Sequence, residues 1–291
     1  MTPVSTRRGA FYVSVAAAAW GTGGTAGLLL FQSGGLGPVG VSLWRYLLGT
    51  AFLLVLLRLT GGLPVRLGPR VVAVGIGMAV YQAAYFAAIA RSGVAVATVV
   101  TMGATPVLTA LGSRFLLRER LGRSGALAMS GALAGLLLLT GGDLGSGTRP
   151  GQWAGIGFAL LSAAGYAAVT LYSRRHHDDP QGMAVGGFVV AAACLAPFAV
   201  AGGALPAFSL SSVALLLYLG AVPTALAYGL YFRALATLSA ATVSVISLGE
   251  AAGAAVLGVL LFGERLTPAA WGGCVLLIAA VVVLTVRPGE R

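Results

Sequence analysis

A chain of 291 residues with 58% hydrophobic and only 9% charged side chains cannot hide that much apolar surface inside a water-soluble domain. Its solvent is lipid. The formal charge of +11 is the balance of 18 arginines, with no lysine, against seven acidic residues; the lack of lysine excludes a GxxxxGK phosphate loop and with it an ATP-driven motor, and the excess charge reads as membrane topology and anionic headgroups, not nucleic-acid binding.

Ten stretches are apolar for long enough to cross a hydrocarbon core of ~30 Å at about 1.5 Å per residue. In chain order they run over 10–31, 39–59, 71–90, 94–111, 124–140, 153–172, 183–200, 213–234, 240–262 and 269–286. The first follows Arg7 and Arg8 as a signal peptide would, but its length and its counterpart in the sixth stretch mark it as a retained span. Connecting segments are short and leave no sizeable soluble domain. With the N-terminus inside, fourteen arginines fall on inner segments and three, Arg91, Arg149 and Arg265, on outer ones. That asymmetry places both termini in the cytoplasm of a multi-pass inner (plasma) membrane protein.

The spans are written twice. Tyr85-Phe86-Ala87-Ala88-Ile89-Ala90 is followed by Glu119-Arg120-Leu121; Tyr231-Phe232-Arg233-Ala234-Leu235-Ala236 is followed by Glu264-Arg265-Leu266, at offsets of 146 and 145 residues. Each copy holds five spans, an odd number, so the second copy enters the membrane from the opposite side. The expected fold is all-α and integral to the membrane: ten transmembrane helices in two inverted five-helix repeats, 1–145 and 146–291.

Chemistry-bearing motifs are sparse. Cys194 and Cys274 lie inside spans and read as small hydrophobes. His176 and His177 beside Asp178 and Asp179 read as a solvated turn in preference to a metal site, and no HExxH, cysteine cluster or Ser/His/Asp set supports an intramembrane enzyme. No cofactor is expected. The string "GTGGTAG" lacks the GxGxxG spacing and the strand of a dinucleotide loop.

Four segments carry a resemblance to a known family: "AAAAWGTGGTAG" in the first span, "LWRYLLG" in the second, "AAYFAAIARSGVAVATVVTMGATPVLTALGSRFLLRERL" across the third and fourth, and "ALAYGLYFRALATLSAATVSVISLGEAAGAAVLGVLLFGERLTPAAWGG" across the eighth and ninth. In order, spacing and duplication they resemble the drug/metabolite transporter superfamily, and within it the ten-span EamA-type permeases. The resemblance implies an alternating-access carrier, commonly an exporter of amino acids or other small metabolites. One departure is Pro106 in the fourth span, whose counterpart in the ninth is Ala251.

Helical periodicity suggests where a cavity lies. Met78, Tyr81, Gln82 and Tyr85 share one face of the third span; Thr224, Ala227, Tyr228 and Tyr231 repeat that face in the eighth. The fourth span adds Thr98, Thr101 and Thr105, the ninth Ser244, Ser247 and Glu250, and Trp20 and Tyr166 form a further pair 146 residues apart. The candidate substrate-binding set is Trp20, Tyr81, Gln82, Tyr85, Thr101, Tyr166, Tyr228, Tyr231, Ser247 and Glu250. The competing reading is structural: Tyr and Trp anchor at interfaces, while Ser and Thr satisfy backbone carbonyls. Glu250 lies near mid-span, where a carboxylate costs about 2.5 to 3.5 kcal/mol on insertion scales and is either functional or paired. It is expected to couple protons or hold a cationic group of the substrate; the bland alternative is an ion pair with Arg45.

Gly23/Gly27, Gly131/Gly135 and Gly249/Gly253 form GxxxG faces for close packing, and the Gly131 face leaves monomer and homodimer both open. The expected partners are a small-molecule substrate, the lipid bilayer and protons as a coupling ion. Against the carrier stands one alternative of another class, a non-transporting lipid-binding scaffold or small-molecule sensor. Within carriers, aromatics, hydroxyls and one carboxylate suit a zwitterionic or cationic metabolite.

Overall fold

A computed structural model describes residues 6–33, 35–59, 67–92, 94–119, 121–141, 152–176, 179–202, 209–263 and 265–286. The boundary between the repeats at 145 and 146 lies outside these residues, as do Arg66, Arg120, Arg149, His177, Asp178 and Glu264. Twelve helical segments, α1 (Thr6–Ser33), α2 (Pro38–Leu59), α3 (Pro69–Ser92), α4 (Val94–Gly112), α5 (Arg123–Thr140), α6 (Gln152–Arg175), α7 (Pro180–Ala201), α8 (Leu210–Gly220), α9 (Ala227–Leu235), α10 (Ala240–Ser247), α11 (Gly249–Phe262) and α12 (Pro268–Val286), build ten rods. A π-helical turn, Ala221–Leu226, joins α8 to α9, and a single residue, Leu248, separates α10 from α11. Among the described residues nine rods are long and apolar enough to span a bilayer on composition alone. The tenth, α1, has 28 residues and reaches across by length, though Gly21-Thr22-Gly23-Gly24-Thr25 dilutes its apolar character.

Local chemistry explains where rods begin. Asp179 caps α7 by accepting from the Gly182 amide at 2.8 Å, ahead of Pro180 at the first helical position. Ser209, Ser239 and Thr267 do the same for α8, α10 and α12, accepting from the amides of Ser212, Thr242 and Ala270 at 3.1 to 3.2 Å. Each cap satisfies an amide that the first turn of its helix leaves without an intrahelical partner.

The rods pack in a pattern that maps onto itself when the halves are exchanged. The third rod, α3, packs against the sixth, α6, as the eighth (α8 to α9) packs against the first, α1; α4 lies on α6 as α11 lies on α1. The self-equivalent pairs also meet, α2 with α7 and α5 with α12. The fold is thus ten membrane helices in two inverted five-helix repeats. Large apolar side chains left on the outside, such as Phe198 at 70% and Leu260 at 72% exposure, face the lipid.

Two irregularities depart from a simple reading. The proline at Pro106 does not break α4, which is helical from Val94 to Gly112; on either side of it Thr105 and Thr109 fold their hydroxyls back onto the carbonyls of Thr101 and Thr105 at 2.7 and 2.8 Å. The break falls in the counterpart rod, which has no proline. There Leu248 N donates to Val245 O and Ala251 N to Leu248 O, each at 3.1 Å, so the ladder tightens to i→i−3 bonds just before Glu250.

The ends of the fourth and ninth rods repeat in detail. Arg118 has φ 56° and Gly263 φ 66°, both left-handed, each immediately before a Glu-Arg-Leu triplet. Glycine bears that conformation freely, whereas arginine is strained by its Cβ. Arg118 is exposed, so Arg118→Gly is expected to stabilise the protein by about 0.5 to 1 kcal/mol, read as a raised unfolding midpoint in detergent. An unchanged or lowered midpoint would contradict this.

Candidate functional site

Four rods, α1, α3, α6 and α9, bring aromatic residues of the expected set to the interface between the halves. Trp20 meets the rings of Tyr228 and Tyr231 edge-on at 5.1 and 5.4 Å; Tyr81 meets Tyr166 at 5.4 Å, and Tyr166 meets Tyr231 at 6.1 Å. Edge-to-face pairs of this kind are worth about 0.5 to 1.5 kcal/mol each beyond their buried area. The phenols are tied as well. Tyr81 OH and Tyr228 OH lie 2.6 Å apart, a hydrogen bond between the two halves. The side chains meet one another, with Tyr231 only 1% exposed and Trp20 7%.

Three further members of this cluster lie outside the expected set. Tyr46 on α2, fully buried, reaches Tyr81 OH at 3.3 Å and stacks on Phe188 of α7 at 5.3 Å. Thr170 bonds Tyr231 OH at 2.6 Å. It lies one helical turn after Tyr166, so its phase could have revealed it; Tyr46 sat in the "LWRYLLG" string beside Arg45 and lacked a periodic partner. Phe188 carries no polar signal at all.

The other expected residues sit around the cluster. Gln82 on α3 donates Nε2 to Ser42 Oγ on α2 at 3.1 Å. Tyr85 OH lies 2.8 Å from Thr98 Oγ1, joining α3 to α4, and Thr101 donates to the Ala159 carbonyl of α6 at 3.2 Å. Ser247 donates to the Val243 carbonyl of its own helix at 2.9 Å. These are helix-tying or self-satisfying bonds of the kind the structural reading anticipates.

Arg45 and Glu250 form the electrostatic part. Arg45 donates Nε to Thr224 Oγ1 at 3.2 Å and lies 6.0 Å from the Tyr46 ring centre. Thr224 sits in the π-helical turn, and its hydroxyl donates to Leu219 O at 2.7 Å. The wide turn thus aims a hydroxyl at the arginine. Glu250 interacts electrostatically with Arg45 and with the phenols of Tyr85, Tyr166 and Tyr228. The ion pair with Arg45 raised as the bland alternative is not formed: their N and O atoms do not come within 4.0 Å, and Arg45 bonds Thr224 instead. The ion pair within that distance is Arg174 with Glu119, among the described residues. Trp20 Nε1 is buried with no acceptor, which costs about 1 to 3 kcal/mol.

Among the described residues, His, Cys, Asp and Glu side chains do not gather in groups of three or more that could hold a metal ion. His176 Nδ1 lies 3.0 Å from the Tyr172 carbonyl one turn back, and Asp179 is occupied as a helix cap.

A model of the EamA-like transporter family matches the chain twice, over residues 7–141 and again over 153–286. The chain belongs to the EamA-like transporter family. The two matches fall on the five-rod halves described above. The uncharacterized transporter YwfM of Bacillus subtilis is 29% identical over 284 residues, covering 96% of this chain and 94% of its own. The uncharacterized protein PA1977 of Pseudomonas aeruginosa is 30% identical over 217 residues, covering 72% and 74%. A solved crystal structure superposes with a TM-score of 0.82 over 98% of this chain and 99% of that one at 21% identity, a likeness of fold. An EamA-like transporter is a multi-pass membrane protein, and that class sets aside the non-transporting alternative; intramembrane catalysis gains no support from it.

Proposed function

We propose that this EamA-like transporter carries a small zwitterionic or cationic metabolite, of the amino-acid type, outward across the inner membrane by alternating access, with both termini in the cytoplasm. One observation carries the reading. Arg45 and Glu250 are opposite charges deep in the bundle, in electrostatic reach of each other yet without a mutual ion pair. Both side chains are half-buried; charges partly withdrawn from water and left apart are costly, and a ligand carrying both signs repays that cost by bridging them. Trp20 Nε1, a buried donor without an acceptor, offers a further contact, and the surrounding rings suit an ammonium group or an apolar side chain. A sugar phosphate is disfavoured, since Arg45 is the one arginine placed well inside a span.

The cycle follows from the repeats. Exchanging the conformations of two inverted halves moves the opening from one face to the other around a fixed central site. Glu250 binds the ammonium group or a proton in turn, which would couple efflux to proton entry.

Flux in liposomes tests this. Counterflow of radiolabelled amino acids and quaternary amines is expected to be saturable, with amino acids outcompeting analogues that lack the ammonium group. Transport of none of the panel, or preference for an anionic or uncharged solute, would sink the substrate reading.

A further inference from the structure

The repeated Glu-Arg-Leu triplet is not used by the central site, and its first copy sits at a junction of three rods. Glu119 follows the left-handed turn at Arg118, beyond the π-helical end of α4 at Ser113–Leu117. Its Oε1 accepts from Arg174 Nε at 2.8 Å, and Arg174 Nη1 donates to the Leu235 carbonyl at 2.8 Å, where α9 ends. Glu119 Oε2 accepts from the Ala240 amide at 3.2 Å, where α10 begins. One ion pair therefore grips the α9 to α10 turn from both sides. Every bond suits its place: a cation at a helix C-terminus, a carboxylate at a helix N-terminus. The pair links the ends of α4 and α6, at the junction of the halves, to the rods that carry Tyr228, Tyr231 and Glu250.

The other copy of the repeat does not carry the same cation in sequence. By the 146-residue offset the counterpart of Arg174 is Leu28, and the last turns of α1, Leu28-Leu29-Leu30-Phe31-Gln32-Ser33, hold no cation. The repeat supplies a carboxylate at both ends in sequence, but an arginine at the Arg174 position in only one of its copies.

We propose that Glu119 and Arg174 form a one-sided latch that holds the arginine-rich end of the transporter closed and must part for the central site to open there. The proposal rests on the alternating-access reading above. Because the Glu119–Arg174 pair has no like-for-like counterpart in the other copy of the repeat, the two closed states differ in stability, and the latch sets how long the site stays sealed from its face.

The test uses the full-length protein with Cys194 and Cys274 replaced by alanine and a cysteine introduced by Ser244→Cys. Ser244 is buried, one turn inside α10 from Ala240, and its hydroxyl has no partner. In sealed vesicles of each orientation, E119Q and R174Q are expected to speed maleimide labelling of this cysteine from the arginine-rich face about five- to tenfold, the effect of losing one partly exposed charged pair. Labelling from the other face should not rise. Equal rates to the parent, or an equal rise from both faces, would overturn the latch, the second by showing general loosening. A further variant that adds cysteines at Glu119 and Ala240 to the Ser244→Cys protein replaces the bond by a covalent one: oxidation should stop maleimide access to the Ser244→Cys thiol and flux, and reduction should restore both. Persistent access after verified crosslinking would also overturn it. Labelling needs no substrate, so a parent without flux on the panel would defeat the substrate reading while leaving the latch test intact.

Discussion

Glu250→Gln should leave a folded protein whose transport is severely reduced. Glutamine keeps the size and hydrogen-bonding capacity of the side chain, and Glu250 makes no ion pair whose loss would strand a partner. What disappears is the negative charge facing Arg45 and the phenols of Tyr85, Tyr166 and Tyr228. A charged hydrogen bond to a substrate ammonium is worth about 1.5 to 3 kcal/mol, or roughly 10- to 150-fold in affinity. The loss should therefore show as a raised half-saturation constant or vanished counterflow, together with loss of any pH dependence of flux. Arg45→Gln should weaken recognition of the carboxylate end while leaving quaternary amines bound. If Glu250→Gln moves substrate like the parent at every pH, the carboxylate has no part in the cycle. The two variants act on different ends of one ligand, so their effects on amino-acid affinity should approach additivity only if Arg45 and Glu250 remain apart in the loaded state.

Much of this architecture was legible because a bilayer restricts the alternatives. Ten apolar runs allow ten helices, and an internal offset of 145 to 146 residues with five runs per copy forces the inversion. The aromatic part of the site was legible for a related reason. Tyr81, Tyr228 and Tyr231 share a phase across the repeats, and the rods that carry them pack with the same exchange symmetry. Periodicity did not separate a polar residue that faces the cluster from one that ties two helices. Gln82 and Tyr85 lie on the same stripe as Tyr81, yet they reach Ser42 and Thr98 on neighbouring rods. Which neighbour stands opposite a stripe is a tertiary fact. The break at Leu248 was hidden similarly. It needs no proline, and Gly249 fits closely there, with room for a Cβ limited by Val281 at 3.2 Å and Ala17 at 3.8 Å.

Glycine spacing gave motifs without saying which member matters, and the sharpest stability prediction follows from that difference. Gly135 and Gly273 hold α5 against α12, the equivalent fifth rods of the two repeats, backbone on backbone. A Cβ on Gly273 would run into the Gly135 carbonyl and stand 2.7 Å from the Leu139 amide nitrogen, while one on Gly135 would stand 2.8 Å from the Gly273 carbonyl. Backbone atoms cannot rotate aside as a side chain does, so the helices must part. Overpacking of this kind costs about 1 to 3 kcal/mol, and valine at either site should cost more than alanine because its branch pushes further into the same helix. Gly131, the other half of the GxxxG spacing, would place a Cβ within 4 Å of nothing. Gly131→Ala should therefore be neutral or stabilising by up to about 1 kcal/mol through helix propensity. Unfolding midpoints in detergent should rank Gly131→Ala at or above the parent, Gly273→Ala below it and Gly273→Val lowest. Size-exclusion chromatography adds a separate arm. If Gly131→Ala instead splits a dimer into monomers, the open face of α5 is filled by a second copy, and the monomeric packing of that motif is the wrong account. A Gly273→Val protein as stable as the parent would mean that α5 and α12 do not touch as closely as their backbones stand here.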